Sequence, residues 1–517
     1  MNKIKQIKCY QSFKQFIFFF LVNSIQIGIE IHYSYGSYRL FFFDRNEYSY
    51  YPYLEGNYKQ IELFKLFVLS FYPSFIGFFT QLIAGLVIDY VQSLWGKRRK
   101  VMLYGLIIWM IGELLCISMT IYPFIQNRKE KQINEKLYLL IAYIFFNCIS
   151  FVGINIIQIS YRAFILDYFD WIYQNQVYVM ASFNTGLLRV VNYFIITIVS
   201  IFISQGDNNI KVSNIFYFVM QFVTLIIVPI SVCIFCSVAK EQQQIDIPIT
   251  WKEYLSETKS SFKLLNWRLA LLGCVVFFGW ICYFPFDQRM PEYLERYVSK
   301  DMKMSSRISS DNLVNTPSFE INIIYLSHSV LLIIVSICLY LINKRLDITI
   351  SFSFLLLSLS SIIFFILPFE KEIENTGKEI DRRLSLIPYF ISSLIYCHLN
   401  CLPYAMLRSV VQSHKFGFFL GLINCCVTLA QMISGVVLLF MEIISRKNDL
   451  DVSGYFMIFV CPFSILSMAI SFALFLTYRK VPKMNERPKF DSFESSHIDE
   501  TSRLQTSSEM VGMDDLE

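Results

Sequence analysis

The sequence predicts an all-α membrane protein of twelve transmembrane helices in two six-helix bundles, and three observations predict it. Of its 517 residues, 55% are hydrophobic and 16% charged, more apolar surface than a soluble core can hide. The apolar residues gather into twelve runs, each long enough to cross a hydrocarbon layer that takes about 20 residues of helix. A polar stretch from Lys240 to Lys263 divides the runs six and six, the outline of two pseudo-equivalent bundles with a solute site between them near the midplane.

The first six runs cover 12–32, 64–88, 101–122, 137–160, 177–204 and 213–238. Lysines precede the first, but no pair of small residues closes it as a cleavage site would, so it reads as a spanning helix and not a removed signal. The second six cover 267–286, 321–343, 347–369, 384–407, 416–442 and 454–478. The chain thus divides into an N-terminal tail (1–11), a first bundle (12–238), a linker (239–266), a second bundle (267–478) and a C-terminal tail (479–517). That last tail is polar, Ser-rich and acidic at Asp514, Asp515 and Glu517, and is expected to be disordered. An even number of spans puts both termini on one side, together with Lys97, Arg98, Arg99 and Lys100. The positive-inside rule makes that side cytoplasmic. Basic residues summed over all loops divide almost evenly, because 289–307 and 371–383 also carry Lys and Arg, so the cluster bears the assignment. Glu292 to Glu320 is then an extracytoplasmic loop, and the expected location is the plasma membrane or an endomembrane.

Composition excludes several classes. With 45 Lys and Arg against 40 Asp and Glu, the basic residues form no stripe with interleaved aromatics, which argues against nucleic-acid binding. The cysteines sit mostly singly in apolar runs and behave as small hydrophobes. Cys233 and Cys236 have C-x-x-C spacing but close an apolar helix with no partner pair, which favours a structural reading over a metal or redox one. No nucleophile elbow, phosphate loop or His/Cys/Asp cluster marks an enzyme, and no cofactor is expected. The aromatic content of 17% is spread through loops as well as spans and does not point to sugar stacking.

Ionisable residues inside spans carry the information, because each costs a few kcal/mol at the bilayer centre unless paired or facing water. They are Glu30, Glu113, Arg162, Asp167, Arg189, Asp287, His328, His398 and Arg408. Arg162 and Asp167 are five residues apart, about 140° around a helix axis, so they do not form one tight pair. Asp167 is either a cavity-facing carboxylate whose proton affinity follows burial and neighbouring cations, or a cap at the helix end. Glu30 is a substrate contact or a carboxyl at the rim, and Asp287 binds hydroxyls or begins the outer loop. Asn424 and Gln431, seven apart, share one face; amides suit hydroxyl recognition and equally suit interhelical bonds. His328 and His398 read as packing residues, and Glu113 has Arg189 as a potential partner.

Gly85, Asp89 and then Trp95-Gly96-Lys97-Arg98-Arg99-Lys100 join the second and third spans. The glycine permits close helix approach, the carboxylate can accept bonds at a helix start, and the cations suit lipid phosphates. This G-x-x-x-D followed by W-G-K-R-R resembles the loop signature of the major facilitator superfamily, in the form seen in plant sucrose transporters and their animal relatives. Gln81 with Gly85, and Arg162-Ala163 with Asp167, resemble that family's second and fourth spans. Trp280 with Phe284-Pro285-Phe286-Asp287, and Leu420-Gly421, Asn424 and Gln431-Met432, are similar to its seventh and eleventh. The family has Arg where this chain has Tyr90, a second Asp where it has Arg289, Asn where it has Tyr178, and an uncharged residue where it has Arg189. The resemblance implies proton-coupled symport of a neutral sugar or glycoside by a monomer. Asp167 would be the proton-coupling carboxylate with Arg162 as its electrostatic neighbour. Glu30, Asp287, Asn424 and Gln431 would bind substrate, and Gly85, Asp89, Gly96, Lys97, Arg98 and Arg99 would form a gate.

Overall fold

The computed structural model describes residues 13–36, 71–91, 93, 95–126, 133–169, 171–204, 209–239, 241, 250–261, 267–294, 319–342, 346–366, 382–410, 416–448 and 457–479, and all regular structure among them is helical. The N-terminal tail, the C-terminal tail from residue 480, residues 295–318 of the Glu292–Glu320 loop, and most of 371–383 lie outside the described residues.

The first span is broken. Helices α1 (Phe13–Val22) and α2 (Ser24–Gly36) meet at a 42° bend around Asn23. Asn23 sits at the break and is held on three sides: its Nδ2 donates to Phe19 O at 2.7 Å and to Val177 O at 3.0 Å, while Tyr161 donates to its Oδ1. The Phe19 carbonyl also accepts from the Asn23 backbone N–H at 3.1 Å, so the side chain adds bonds at the bend and ties it to the helix that carries Val177. The first half continues through α3 (Tyr72–Tyr90), α4 (Lys97–Gln126), α5 (Ile133–Tyr168), α6 (Trp171–Ser204) and α7 (Asn209–Val238). A short helix, α8 (Trp251–Ser261), lies in the segment expected to be a polar linker. The second half holds α9 (Trp267–Tyr293), α10 (Phe319–Ile342), α11 (Leu346–Ser360), α12 (Ile363–Ile366), α13 (Leu386–Val410), α14 (Phe416–Asn448) and α15 (Val460–Arg479). Ten of these are long and apolar enough to cross a membrane, α1 with α2 makes an eleventh, and α11 contains a shorter apolar stretch. Together they fit the twelve-span architecture.

Helix α3 shows how the sequence orients each span. Phe75, Phe79 and Ile83, four residues apart, are exposed on one face, whereas Ser74, Gly77, Gln81, Ala84 and Gly85 are buried on the other. Apolar groups face lipid and small or polar groups face protein, because lipid gives no reason to bury Phe and close packing favours small residues. The two halves meet where α3 packs on α14 and α6 packs on α10. A methyl group at Gly85 would sit 2.5 Å from the Gly417 carbonyl oxygen and 3.3 Å from the Gly421 Cα. Only glycine allows that approach.

Candidate functional site

One cluster joins the two halves at the end of the bundle that carries Lys97. Asp89, in the last turn of α3, accepts from the Gly417 N–H at 3.1 Å and the Phe418 N–H at 2.8 Å. These amides open α14, in the other half, where a helix N-terminus favours a carboxylate. Arg98 donates from Nη1 to Asp89 at 2.8 Å and from Nε to Asp167 at 2.7 Å. Glu241, beyond α7, accepts from the backbone N–H of Arg98 at 3.0 Å and of Arg99 at 3.4 Å, capping α4 from 143 residues away. Burial pushes the Glu241 carboxyl above its ordinary value, against the Arg98 amide that draws it down. Gly96 has φ +107°, and a methyl group there would meet the Glu241 carboxylate at 2.3 Å, so this turn takes glycine on two counts. The gate set expected from sequence, Gly85, Asp89, Gly96, Arg98 and Arg99, is therefore brought together, with Lys97 beginning α4 beside it. The basic cluster does not simply face lipid phosphates: Arg98 and Arg99 are buried, Arg98 between two carboxylates.

A second cluster lies between the halves. A cavity is lined by Gln26, Tyr161, Arg162, Tyr178, Ala181, Ser182, Thr185 and Asn400. Arg162 does not neighbour Asp167 as expected. Its Nη1 donates to the Tyr404 hydroxyl and, at 2.7 Å, to Asn424 Oδ1; Tyr404 in turn donates to Asn424 Oδ1 at 2.9 Å. Tyr178, standing where the family has Asn, donates to the Arg162 carbonyl at 2.9 Å. The physical reason is the helix itself: residues five apart point different ways, so Arg162 turns to α13 and α14 while Asp167 turns to α4.

A third group lies on the far side of that cavity from the gate. Arg189 Nε donates to Glu30 Oε1 at 2.5 Å, and its guanidinium lies 4.8 Å from the centre of the Tyr396 ring. Asp287, exposed at the end of α9's apolar stretch, is within electrostatic reach of Arg189. Glu113 does not pair with Arg189. It pairs with His32 at 3.1 Å and accepts from Ser150 at 2.7 Å, inside the first half. Gln431 is apart from the cavity, accepting from Ser74 of α3 at 3.2 Å. His328 bonds Ser392, and His398 bonds Thr349 and the Leu394 carbonyl, as packing residues do.

Sequence reasoning missed Gln26, Tyr161, Ser182, Thr185, Asn400, Tyr404, Glu241 and His32. Gln26 and Asn400 are amides inside apolar runs and carried a usable signal. Tyr404 is one of 32 tyrosines and carried none.

Comparisons with known proteins agree on the fold. No curated protein matches the sequence. Among solved structures, a bacterial homologue of the iron transporter ferroportin in an outward-facing state is similar with a TM-score of 0.60 and 12% identity, covering 88% of this chain and 99% of that one. The human organic anion transporter MFSD10 (TETRAN) gives 0.58 at 10% identity, over 89% and 98%. The E. coli fucose:proton symporter FucP gives 0.54 at 12%, over 88% and 98%. Residues 52–435 match the Major Facilitator Superfamily, and with most of the chain inside that match and a helical architecture to suit it, the protein belongs to that superfamily.

Proposed function

We propose that the protein is a secondary active transporter that moves a sugar or glycoside together with a proton by alternating access. The fold alone does not choose the solute, since the similar structures include carriers named for iron, organic anions and fucose. The site supports the choice: amides and hydroxyls of Gln26, Ser182, Thr185 and Asn400 line the cavity, and such groups offer both donors and acceptors to a hydroxyl-rich solute.

The observation that carries proton coupling is the Glu30–Arg189 pair. Both residues belong to the first half, while Asp287 and Tyr396, also near Arg189, belong to the second. One carboxylate is bonded to the guanidinium and a second lies within its electrostatic reach. A proton on Glu30 removes Arg189's partner in its own half and turns the cation toward Asp287 across the interface, so protonation and the contact between halves are linked. Asp167, the carboxylate expected from the family resemblance, is engaged by Arg98 in the gate and on this reading governs opening more than proton uptake.

The test is uptake by reconstituted vesicles under an acid-outside gradient with labelled sugars. Glu30→Gln should lose accumulation but keep exchange at equal concentrations, and Asp167→Asn should keep gradient-dependent accumulation with altered rate. Abolished coupling in Asp167→Asn with none lost in Glu30→Gln would return the proton to Asp167. Absence of gradient-driven flux of any solute would sink the transport reading.

A further inference from the structure

We propose that Arg162 is an anion-recognition residue and that the solute carried between the halves bears a carboxylate beside its hydroxyls. The inference rests on the transport reading above, and it departs from the neutral sugar that the sequence suggested.

Arg162 is 8% exposed and lines the cavity. Its partners are neutral: the Tyr404 hydroxyl, Asn424 Oδ1 and the Tyr404 ring, whose centre lies 4.2 Å from the guanidinium carbon. The carboxylates that could have neutralised it are committed elsewhere, Glu30 to Arg189 and both Asp89 and Asp167 to Arg98. A buried cation without a counterion is costly, and the aromatic ring offsets only part of that cost.

Two sets of donors at Arg162 and its partner Asn424 lack acceptors among the described residues. All bonds of Arg162 leave from Nη1, so the Nε and Nη2 edge of the fork has no partner among the described residues. That edge is the one that grips a carboxylate with two parallel hydrogen bonds. Asn424, bonded to Nη1 of the same guanidinium, has a buried Nδ2 that likewise has no acceptor among the described residues. Its orientation is fixed, because Oδ1 already accepts from Arg162 and Tyr404. Hydroxyl oxygens of a neutral sugar can accept from these donors, but only an oxyanion also cancels the charge.

A consequence in transport follows. A neutral sugar moving with one proton carries one positive charge across the membrane, whereas a monocarboxylate moving with one proton carries none. The first is driven by an inside-negative potential and the second is indifferent to it.

The experiment compares D-glucose with D-glucuronate, which differ only in oxidation at one carbon, using the full-length protein in detergent and in vesicles. Glucuronate should raise the unfolding temperature and glucose should raise it less. Its uptake under an acid-outside gradient should be unchanged when potassium and valinomycin impose a potential. Arg162→Gln should weaken glucuronate binding tenfold or more. Asn424→Asp supplies a carboxylate to Arg162 from within and should abolish glucuronate binding while keeping the unliganded protein folded. Accumulation of glucose driven by potential, with glucuronate neither stabilising nor carried, overturns the proposal and leaves the transport reading standing. Undiminished glucuronate binding by Asn424→Asp also overturns it. Binding of glucuronate that depends on Arg162 without flux of either compound supports the anion site and counts against the transport reading. No response to either compound counts against both.

Discussion

At the scale of single residues, Arg98 is the centre of the cluster expected to act as a gate. Its side chain is 1% exposed and joins Asp89, 0% exposed, to Asp167, 27% exposed. Removing one partner of a buried ion pair leaves the other charge uncompensated and costs roughly 3–5 kcal/mol. Arg98→Gln leaves Asp89 with two backbone amides only, so it should destabilise the closed end by an amount of that order. The check is reactivity of a cysteine introduced at Ala84 toward a water-soluble maleimide: labelling should rise in Arg98→Gln, and unchanged labelling would mean that Arg98 does not hold the gate. Glu241 gives a prediction in pH. Its folded-state carboxyl is raised, so the folded form binds the proton more tightly than the unfolded chain does. The contribution to stability is full below the ordinary carboxylate value and is lost as pH rises through the raised value. The unfolding temperature of the wild type, taken relative to Glu241→Gln, should therefore fall between acid and neutral pH; a flat difference would contradict it. These residues also mark what the sequence disclosed. Gly85, Asp89 and Arg98 were legible because a loop motif fixes their spacing within 14 positions. The partners of Arg162, Arg189 and Glu113 were not, because each choice depends on which faces of distant helices meet.

At the scale of elements, the linker helix α8 shows a local signal that was present in the sequence and outweighed by composition. Thr250-x-x-Glu253 is a capping box: the Glu253 N–H donates to Thr250 Oγ1 at 3.3 Å, and the Thr250 N–H donates to Glu253 Oε2 at 2.9 Å. Two orphan donors of the helix start are satisfied reciprocally. Trp251 and Tyr254 then pack on Tyr90, with ring centres 4.8 and 5.5 Å away. Tyr90 stands where the resembling family has Arg, and here it is an aromatic contact between the end of α3 and the linker. Thr250→Ala removes one half of the box, and amide exchange across 250–261 should quicken several-fold. The same segment should fray in acid. Hydrogen bonds from Thr250 hold the Glu253 carboxyl below its ordinary value, so its support for the cap is present above that value and disappears as pH falls through the lowered one. Exchange in 250–261 that ignores both the substitution and the acid would show that α8 is held by its aromatic contacts alone. The bend between α1 and α2 had a weaker signal, a single Asn in an apolar run whose reach to Val177 across the bundle the sequence could not show.

At the scale of the whole molecule, one glycine contact sits at the gate end of the interface between the halves and another near its middle, beside the cavity-lining Thr185. Gly85 of α3 faces Gly417 and Gly421 of α14 beside the gate. Gly186 of α6 faces Ile333 of α10, where a methyl group would come within 2.9 Å of its side chain. Farther along the same pair of helices, Tyr193 stacks on Tyr325 at 5.0 Å. Alternating access requires that the two ends open in turn, so enlarging Gly85 should bias the protein toward opening at the gate end. Gly85→Leu forces a side chain against the Gly417 backbone, which cannot give way as a flexible side chain can, and overpacking of this kind costs about 1–3 kcal/mol. That is enough to shift a two-state equilibrium by roughly five- to more than a hundredfold. Spin labels placed in pairs across α3 and α14, and across α6 and α10, report both ends at once. In Gly85→Leu the α3–α14 distance should lengthen while the α6–α10 distance shortens or holds. The variant should lose net uptake, because it is held in one state. Lengthening of both distances would mean that the halves separate instead of rocking, and the alternating-access reading of this interface would be wrong.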